Sequence, residues 1–498
     1  MSEQSRLEGR QTSRASLLQL LYRQERMADA WTRTVLKNMA WVTLAEFVVR
    51  GLKFALLPLV ARFFGPTEYG KFTYAFSFVS LFAVIYDAGL SITATREFSK
   101  ARENERLLPD IILVKLLLGA VGLAAIAFTL LWVPVAPDVR AMIAALAAAF
   151  YVLEWVSLGL AIVRARQKME YEFLLRVIQA VALLGGCVLV IWKFPSVINV
   201  SYAYLGSGLL SLVLVVAALR RRRWPLGLAY HPDVWRGLFR VALPLAMAGG
   251  ATTLYMNLDT VLLGSLGSIT ATGWYNLAAK LTGILLVPTS LLSLAIFPAF
   301  ASTAANVDRV FRRRWEEWSV HLAAIGVFGA AVVFAGADRI IDILVGPAFH
   351  PAALALRILT VTVVLIYLYT PLYQAMIVFN EQGRLFWLLA AGTLLNLGLN
   401  VLLIPRYSLY GAAWATVLTH LGLLGGLYVF VGRFTPLAPV STGLLTGFLA
   451  VMVSGVPAYL IVQVTTVSLW LTIPPAGLAF LCCFLGLRRI AVAPQTSA

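Results

Sequence analysis

Residues 111–133 read IILVKLLLGAVGLAAIAFTLLWV, and Lys115 is the one charged residue in this stretch. An α-helix needs about 20 consecutive apolar residues to cross the ~30 Å hydrocarbon core of a bilayer, so the stretch is long enough for one crossing. Similar stretches recur along the whole chain with short polar breaks between them. On this basis we predict about fourteen transmembrane spans: 40–61, 72–95, 111–133, 141–163, 173–192, 200–219, 241–263, 274–297, 318–337, 354–379, 385–404, 411–431, 442–462 and 469–487.

The composition agrees with a chain that lies mostly inside a membrane. Of the 498 residues, 60% are hydrophobic and 13% are charged, and the mean hydropathy is +0.84. Residues 1–30 lack the central apolar run of a cleaved leader, so we expect the first span to remain as an anchor. The histidines and cysteines have no metal-ligand spacing, and we expect no metal and no cofactor. The sequence therefore predicts an all-α polytopic membrane protein.

The net charge of +17 is distributed in a way that predicts orientation. Lys and Arg concentrate in the N-terminal segment and in every second connection, for example in the run Arg220–Arg223. The connections between these hold zero to two basic residues each. This is the positive-inside pattern, and it predicts a multi-pass protein of the cytoplasmic (inner) membrane with both termini in the cytoplasm. Anionic membrane lipids, and not nucleic acid, are the expected partner of the excess charge.

An internal repeat indicates how the spans are grouped. The turn after the first span carries Gly70 and the turn after the seventh carries Gly273, an offset of 203 residues; Gly206 and Gly411 are 205 residues apart. Six spans return the chain to its starting side, so the repeat predicts two six-helix halves in the same orientation, an arrangement known among transporters. The predicted segments are a basic N-terminal segment (1–34), a first lobe (35–219), a linker (220–240), a second lobe (241–432), two further helices (433–487) and a tail (488–498).

The short connections bear on the class of protein. The longest connection on the predicted outer side, 338–351, is too short for a catalytic domain, and the chain carries no nucleophile elbow, phosphate loop or metalloprotease motif. A membrane glycosyltransferase or polymerase is the alternative from another class, and it needs an external catalytic loop. We therefore expect a transporter with no catalytic residues.

Two groups of residues resemble a known family. The first resembles the opening of bacterial polysaccharide flippases (Wzx-type): Ala61-Arg62, Gly65-Pro66, Tyr69-Gly70, Phe72, Asp87, Gly89-Leu90 and Arg96-Glu97. The second is similar to the eleventh and twelfth spans of the larger multidrug/oligosaccharidyl-lipid/polysaccharide superfamily: Asn396, Asn400, Ile404-Pro405, Gly411-Ala412-Ala413 and Ala415-Thr416. The resemblance extends from about residue 31 to residue 487.

The resemblance implies two lobes around a central cavity that opens to each side in turn. It implies a cargo of oligosaccharide on polyprenyl pyrophosphate, for O-antigen, capsule or exopolysaccharide synthesis, with a polysaccharide polymerase and chain-length machinery as further partners. A lipid II flippase or a cation-coupled multidrug antiporter of the same superfamily is the alternative. A drug pump should have a net acidic cavity. A coupling ion, H⁺ or Na⁺, is left open.

Ionisable residues inside the spans are the candidate site, because each costs about 2.5–3.5 kcal/mol to insert. Glu46, Arg50 and Lys53 follow the spacing i, i+4, i+7 and share one helix face. Asp87 lies at nearly the same depth in the second span. We interpret Arg50 and Lys53 as cavity cations for phosphate, with the carboxylates as charge partners or ion-coupling groups. The structural alternative is a pair of ion pairs, Glu46–Arg50 and Asp87–Lys53.

The second lobe offers a smaller set. Asp259 and Lys280 lie at similar depth and are predicted to pair across the seventh and eighth spans, and Arg240 at the start of the seventh is a candidate for headgroup binding. Glu154 lies deep in the fourth span without an obvious partner. Lys115 and Arg176 are expected to extend to the nearby membrane surface. The family-motif residues Asn396, Asn400, Pro405 and Gly411 are expected to pack helices.

Overall fold

The structure is a computed structural model that describes residues 3–100, 102–221, 224–225, 227–304, 307–438, 441–465 and 469–492. Of residues 3–33 and a few others inside helices it describes the backbone alone. Arg222 and Arg223, predicted to lie in the cytoplasm, and most of the tail 488–498 fall outside this description, as do the side chains of nearly all of segment 1–34.

The described residues form helices and no β-strand, as the sequence predicts. The elements are α1 (Glu3–Asp87), α2 (Leu90–Lys100), η1 (Arg102–Leu107), α3 (Leu108–Trp132), α4 (Pro137–Ala165), α5 (Met169–Lys193), α6 (Val197–Arg221), α7 (Pro232–Leu266), α8 (Ile269–Leu285), α9 (Val287–Thr303), α10 (Arg309–Leu344), η2 (Pro347–Phe349), α11 (His350–Val378), α12 (Gln382–Phe434), α13 (Thr442–Val464) and α14 (Leu469–Val492).

Twelve helical segments of the described chain are long and apolar enough to cross a membrane. Two of them, 37–100 and 382–434, contain 64 and 53 residues. At about 1.5 Å per residue, either one is far longer than the hydrocarbon core, so each has room for two crossings. Both are interrupted by a non-helical residue, Gly65 in α1 and Ser408 in α12. The segments therefore come close to the predicted number of about fourteen spans.

Two short breaks lie inside spans. Ala88 and Gly89 adopt positive φ angles of 44° and 76° and separate α1 from α2. Leu286 separates α8 from α9 directly before Val287-Pro288. A break within a span is tolerated where protein groups satisfy the freed backbone polar atoms. The first break matters for the site, because Asp87 is the last residue of α1.

The helices meet closely at the end of the bundle that carries the short connections, here called the short-loop end. There the Oγ1 atoms of Thr67 and Thr270 are 2.9 Å apart. Gly70 and Gly273 pack backbone to backbone, since a Cβ on Gly70 would lie 1.9 Å from the carbonyl oxygen of Ile269. Both pairs are separated by the repeat offset of 203 residues (270 − 67 and 273 − 70). Equivalent residues of two repeats related by a two-fold axis can touch each other only next to that axis. α1 and α8 therefore meet at the axis that relates the two halves.

The buried core follows the same asymmetry. The largest apolar cluster joins α1 and α4–α6 to α7, α8 and α10–α12 near the short-loop end. Towards the opposite end, here called the basic end, the core divides: one cluster surrounds Phe98, Leu108 and Trp224, and another surrounds Phe300 and Trp315. α13 and α14 pack against each other and mainly against α10. The two halves thus share one core at the short-loop end, whereas at the basic end the second half joins the first-half clusters through Leu238 and Ala242 of α7.

Candidate cavity and charge sites

Two lysines within the spans are free of ion pairs among the described residues. Lys53 on α1 and Lys280 on α8 both expose part of their surface, yet surrounding protein atoms desolvate both side chains. Exposure together with desolvation is expected of a side chain in a cleft. The predicted ion pairs of Lys53 with Asp87 and of Lys280 with Asp259 are both wrong, because each carboxylate has other partners.

Arg50 and Glu46 form the ion pair that the structural alternative predicts, with Arg50 Nε 2.9 Å from Glu46 Oε2. Their side chains are 58% and 42% exposed, although Arg50 lies about 15 Å and Glu46 about 9 Å from the start of the span at residue 40. A charged pair so exposed in hydrocarbon would be costly, so a water-filled space is the environment that suits it.

Arg176 of α5 extends this network and corrects the expectation that it reaches the membrane surface. Arg176 Nη1 donates to Glu46 Oε1 at 2.7 Å, and Arg176 Nε lies 3.2 Å from Glu172 Oε1. Arg164 of α4 also binds Glu172 through both carboxylate oxygens. Three guanidinium groups thus share two carboxylates, and Lys53 adds a further positive charge nearby. The face around Glu46 is net cationic.

Lys115 is the largest correction to the sequence-based interpretation. Its side chain is 1% exposed, and its ammonium group donates to Asp87 Oδ1 and lies 3.6 Å from Glu154 Oε2. Ser91 also donates to Asp87, through its backbone N–H and through its hydroxyl group. Glu154, which the sequence leaves without a partner, therefore shares one buried lysine with Asp87.

Asp259 is buried, and neutral groups surround it. Tyr275 OH donates to Oδ2 at 2.7 Å, Thr416 Oγ1 donates to the same oxygen at 2.9 Å, and Asn400 Nδ2 donates to Oδ1 at 2.8 Å. Asn400 also donates to Asn396 Oδ1 at 3.1 Å. In the described part of the chain no cationic side chain lies within ion-pair distance of this carboxylate. The two asparagines therefore do more than pack helices, because they connect α12 to the charge on α7.

The remaining predicted residues are dispersed. Arg240 is exposed near the basic end of α7, with no ion pair among the described residues. Glu154 belongs to the Lys115 cluster. Pro405 precedes the reversal at Ser408, and a Cβ on Gly411 would lie 2.4 Å from the carbonyl oxygen of Leu403, so both residues serve the turn inside α12.

A histidine cluster escaped the sequence analysis. His420 is 5% exposed, with Nε2 2.6 Å from Tyr255 OH and Nδ1 3.0 Å from Tyr369 OH. Tyr255 precedes Asp259 by four residues and His420 follows Thr416 by four, so the cluster continues the Asp259 site along the same faces of α7 and α12. The i, i+4 spacings of Tyr255 with Asp259 and of Thr416 with His420 are visible in the sequence. Nothing in the sequence, however, distinguishes these residues from other tyrosines and histidines in the spans.

Comparisons with known proteins agree with this architecture. The family model described as polysaccharide biosynthesis protein matches residues 35–304, more than half of the 498 residues. A protein of Escherichia coli (strain K12) named as a candidate O-antigen transporter is 22% identical over 401 residues, which cover 77% of this chain and 94% of that protein.

Solved structures share the fold at low sequence identity. The lipid II flippase MurJ in an inward closed conformation superposes with a TM-score of 0.70 at 14% identity, over 92% of this chain and 100% of MurJ. An inward-facing multidrug resistance MATE family transporter of the MOP superfamily superposes with a TM-score of 0.54 at 15% identity, over 93% and 100% of the two chains. The fold is thus that of MOP transporters, and because the family model matches residues 35–304 the chain belongs to the polysaccharide biosynthesis protein family.

Proposed function

We propose that this chain is a flippase that moves polyprenyl-pyrophosphate-linked oligosaccharide across the cytoplasmic membrane by alternating access. The observation that carries the proposal is the cationic set inside the spans: Arg50 beside the Glu46–Arg176 network, and the unpaired lysines Lys53 and Lys280. Arg240 at the basic end of α7 would meet the headgroup first. Family membership and the similarity to an O-antigen transporter support the same cargo class.

The chemistry of the cargo fits these residues. A hydrated sugar-pyrophosphate group cannot cross hydrocarbon unaided, whereas the polyprenyl tail can stay in lipid. Cations in a wet cleft attract the pyrophosphate. In the absence of cargo, the Glu46 carboxylate partly neutralises their charge. A multidrug antiporter is disfavoured because its cationic cargo would meet a net positive face. Lipid II remains the alternative cargo, since it carries the same pyrophosphate.

Orientation is part of the proposal. The basic end would face the cytoplasm, where anionic lipid attracts Lys and Arg, and both termini would lie there. The cleft would then receive cargo from the cytoplasm while the short-loop end is closed. An interior-negative potential favours outward movement of an anion by about 2.3 kcal/mol per charge per 100 mV. A polymerase and chain-length proteins would take the product on the outer side.

We further propose Asp259 as an ion-coupling residue. A buried carboxylate without a cationic partner binds H⁺ or Na⁺ readily, because either ion removes the unfavourable charge. The hydroxyl oxygen atoms of Tyr275 and Thr416 lie 2.7 and 2.9 Å from its carboxylate, and a Na⁺ site requires such oxygen atoms. Transport by Asp259→Asn measured with imposed Na⁺ and pH gradients identifies the ion: loss of the response to one gradient assigns it.

The cargo proposal is tested with vesicles that contain the purified protein and a fluorescent lipid-linked oligosaccharide. The Arg50→Ala, Lys53→Ala double variant should lose most of the transport, because each lost contact to phosphate removes about 1.5–3 kcal/mol. Arg236→Ala is the matched control, since this guanidinium is 82% exposed at the basic end and should not matter. Full activity of the double variant at normal abundance would refute the proposal, and competition by lipid II would reveal the alternative cargo.

A further inference from the structure

The Asp87–Lys115–Glu154 cluster carries one more negative than positive charge in the interior of the first six helices. Two carboxylates share one ammonium group, and that group is 1% exposed. A net charge in such a place is costly, and the uptake of one proton would remove it. The cluster lies apart from the cationic face around Glu46, and the function proposed above does not use it.

The hydrogen bonds indicate which carboxylate would take the proton. Asp87 accepts from Lys115, from the backbone N–H of Ser91 at 3.1 Å and from the Ser91 hydroxyl at 2.5 Å, so its negative charge is well satisfied. Among the described residues Glu154 has Lys115 alone as a hydrogen-bonding or ion-pair partner, at 3.6 Å, and its side chain is 24% exposed, so water can reach it. The proton therefore belongs on Glu154.

The other groups around Glu154 do not change this balance. α1 brings Asp87 and the buried hydroxyl of Tyr86, which has no hydrogen-bond partner among the described residues. α3 brings Lys115, and α2 brings the uncharged Ser91. The pair Arg164–Glu172, between α4 and α5, is about ten residues or 15 Å further along α4. No charged group of α6 interacts with Glu154 in the described chain.

The cluster also holds a hinge. Asp87 is the last residue of α1, and its carboxylate caps the first turn of α2 through Ser91, directly across the break at Ala88 and Gly89. The break packs closely against α7 of the second half, because a Cβ on Gly89 would lie 2.6 Å from the carbonyl oxygen of Ala242 and 3.1 Å from Leu245 Cβ. Leu90, Val114 and Ala242 are buried together at this contact. Any loosening of Asp87 thus reaches the contact between the two halves.

We propose that Glu154 is a proton-binding site whose occupancy sets how firmly α2 is held against α7. When Glu154 is ionised it competes with Asp87 for Lys115, and the cap of α2 is weakened. When Glu154 is protonated, Lys115 serves Asp87 alone and α2 is locked. The ammonium group already occupies the space between the carboxylates, so the ligand is a proton and not a metal ion, in contrast to Asp259. The role of this switch in transport rests on the proposed function, but proton binding by Glu154 does not depend on the cargo.

Infrared spectroscopy of the purified protein tests the proton site. A carboxylic-acid C=O band that titrates with pH should be present in the wild type and in Asp259→Asn, and absent in Glu154→Gln. If every band that titrates in the wild type survives in Glu154→Gln, the proton is not on Glu154 and the proposal is overturned; a band lost in Asp259→Asn alone reports the Asp259 site. Added Na⁺ should leave the Glu154 band unchanged, and a Na⁺-dependent loss of the band would likewise overturn it.

Thiol labelling tests the hinge. Ala242→Cys is placed under Gly89 in a background without the native cysteines, so that its labelling reports the release of α2. The rate should follow the ionised fraction of Glu154 and fall about tenfold per pH unit below the titration midpoint. Glu154→Gln should label slowly at every pH, and Glu154→Asp should restore the pH dependence. A pH dependence that survives in Glu154→Gln would refute the hinge. Loss of transport in Arg50→Ala, Lys53→Ala is judged separately, so the cargo proposal can fail while this one stands.

Discussion

At the scale of single residues, the charges in the spans fall into two classes. Lys115 is buried and fully engaged by carboxylates, whereas Lys53 and Lys280 are desolvated without an ion-pair partner among the described residues. Removing one partner of a buried ion pair is strongly destabilising because the other charge is left uncompensated, whereas a charge that is desolvated without a partner itself lowers stability. A protein keeps an unpaired, desolvated cation where a ligand will neutralise it.

This difference predicts opposite effects of the same substitution. Lys280→Met should raise the stability of the protein by about 1 kcal/mol, because it removes an unpaired desolvated charge, and should reduce transport. Lys115→Met should destabilise it by about 3–5 kcal/mol, because two buried carboxylates lose their partner. Thermal unfolding in detergent, together with vesicle transport, measures both variants. A Lys280→Met protein that is less stable than the wild type would mean that Lys280 has a structural role.

At the scale of helices, breaks and close contacts position the sites. Gly89 allows α1 and α2 to separate beside Asp87, and Ser408 allows α12 to reverse between the Asn396–Asn400 face and Thr416. At Gly70 and Gly273 the two halves meet backbone to backbone at the short-loop end. Such backbone contacts separate without breaking an ion pair, which suits an end of the bundle that must open during transport.

This close contact should fail when either glycine gains a side chain. Gly70→Val places atoms where the carbonyl oxygen of Ile269 lies, so α1 and α8 must move apart. In a Thr67→Cys, Thr270→Cys background, disulfide formation should be fast in the parent and strongly reduced by Gly70→Val. Gly283→Ala is the matched control on α8, since nothing lies within 4 Å of its Cβ position. Equal cross-linking in the parent and in Gly70→Val would contradict the close contact.

The same contacts explain what the sequence could and could not predict. Apolar length and glycine spacing are local signals, so the spans and the repeat-related pair Gly70 and Gly273 were predictable. Ion pairing depends on how each helix is rotated. Gly119 packs against the ring of Tyr151 and turns α3 so that Lys115, four residues earlier, faces Asp87. Judged by depth in the membrane alone, Lys53 is as good a partner for Asp87 as Lys115. The sequence holds no signal for the rotation of each helix about its own axis.

At the scale of the whole molecule, charge and packing divide the bundle in the same way. The end with most of the Lys and Arg is the end where the core separates, and the end with short connections is where both halves share one core. If the basic end is cytoplasmic, the cationic cleft is reached from the side where lipid-linked sugars are assembled. The orientation of the protein therefore decides whether the conformation described here is the one that takes up cargo from the cytoplasm.

Orientation is measured with single cysteines in a background without the native three. Ser268→Cys lies in the exposed turn between α7 and α8 at the short-loop end, and Arg236→Cys lies on the exposed start of α7 at the basic end. A membrane-impermeant maleimide should label Ser268→Cys in intact cells and Arg236→Cys after permeabilisation alone, because Lys and Arg are retained on the cytoplasmic side. Labelling of Arg236→Cys in intact cells and of Ser268→Cys only after permeabilisation would show that the topology is the opposite of the predicted one. The cleft would then open to the outside, and cargo loading from the cytoplasm would require the short-loop end to open first.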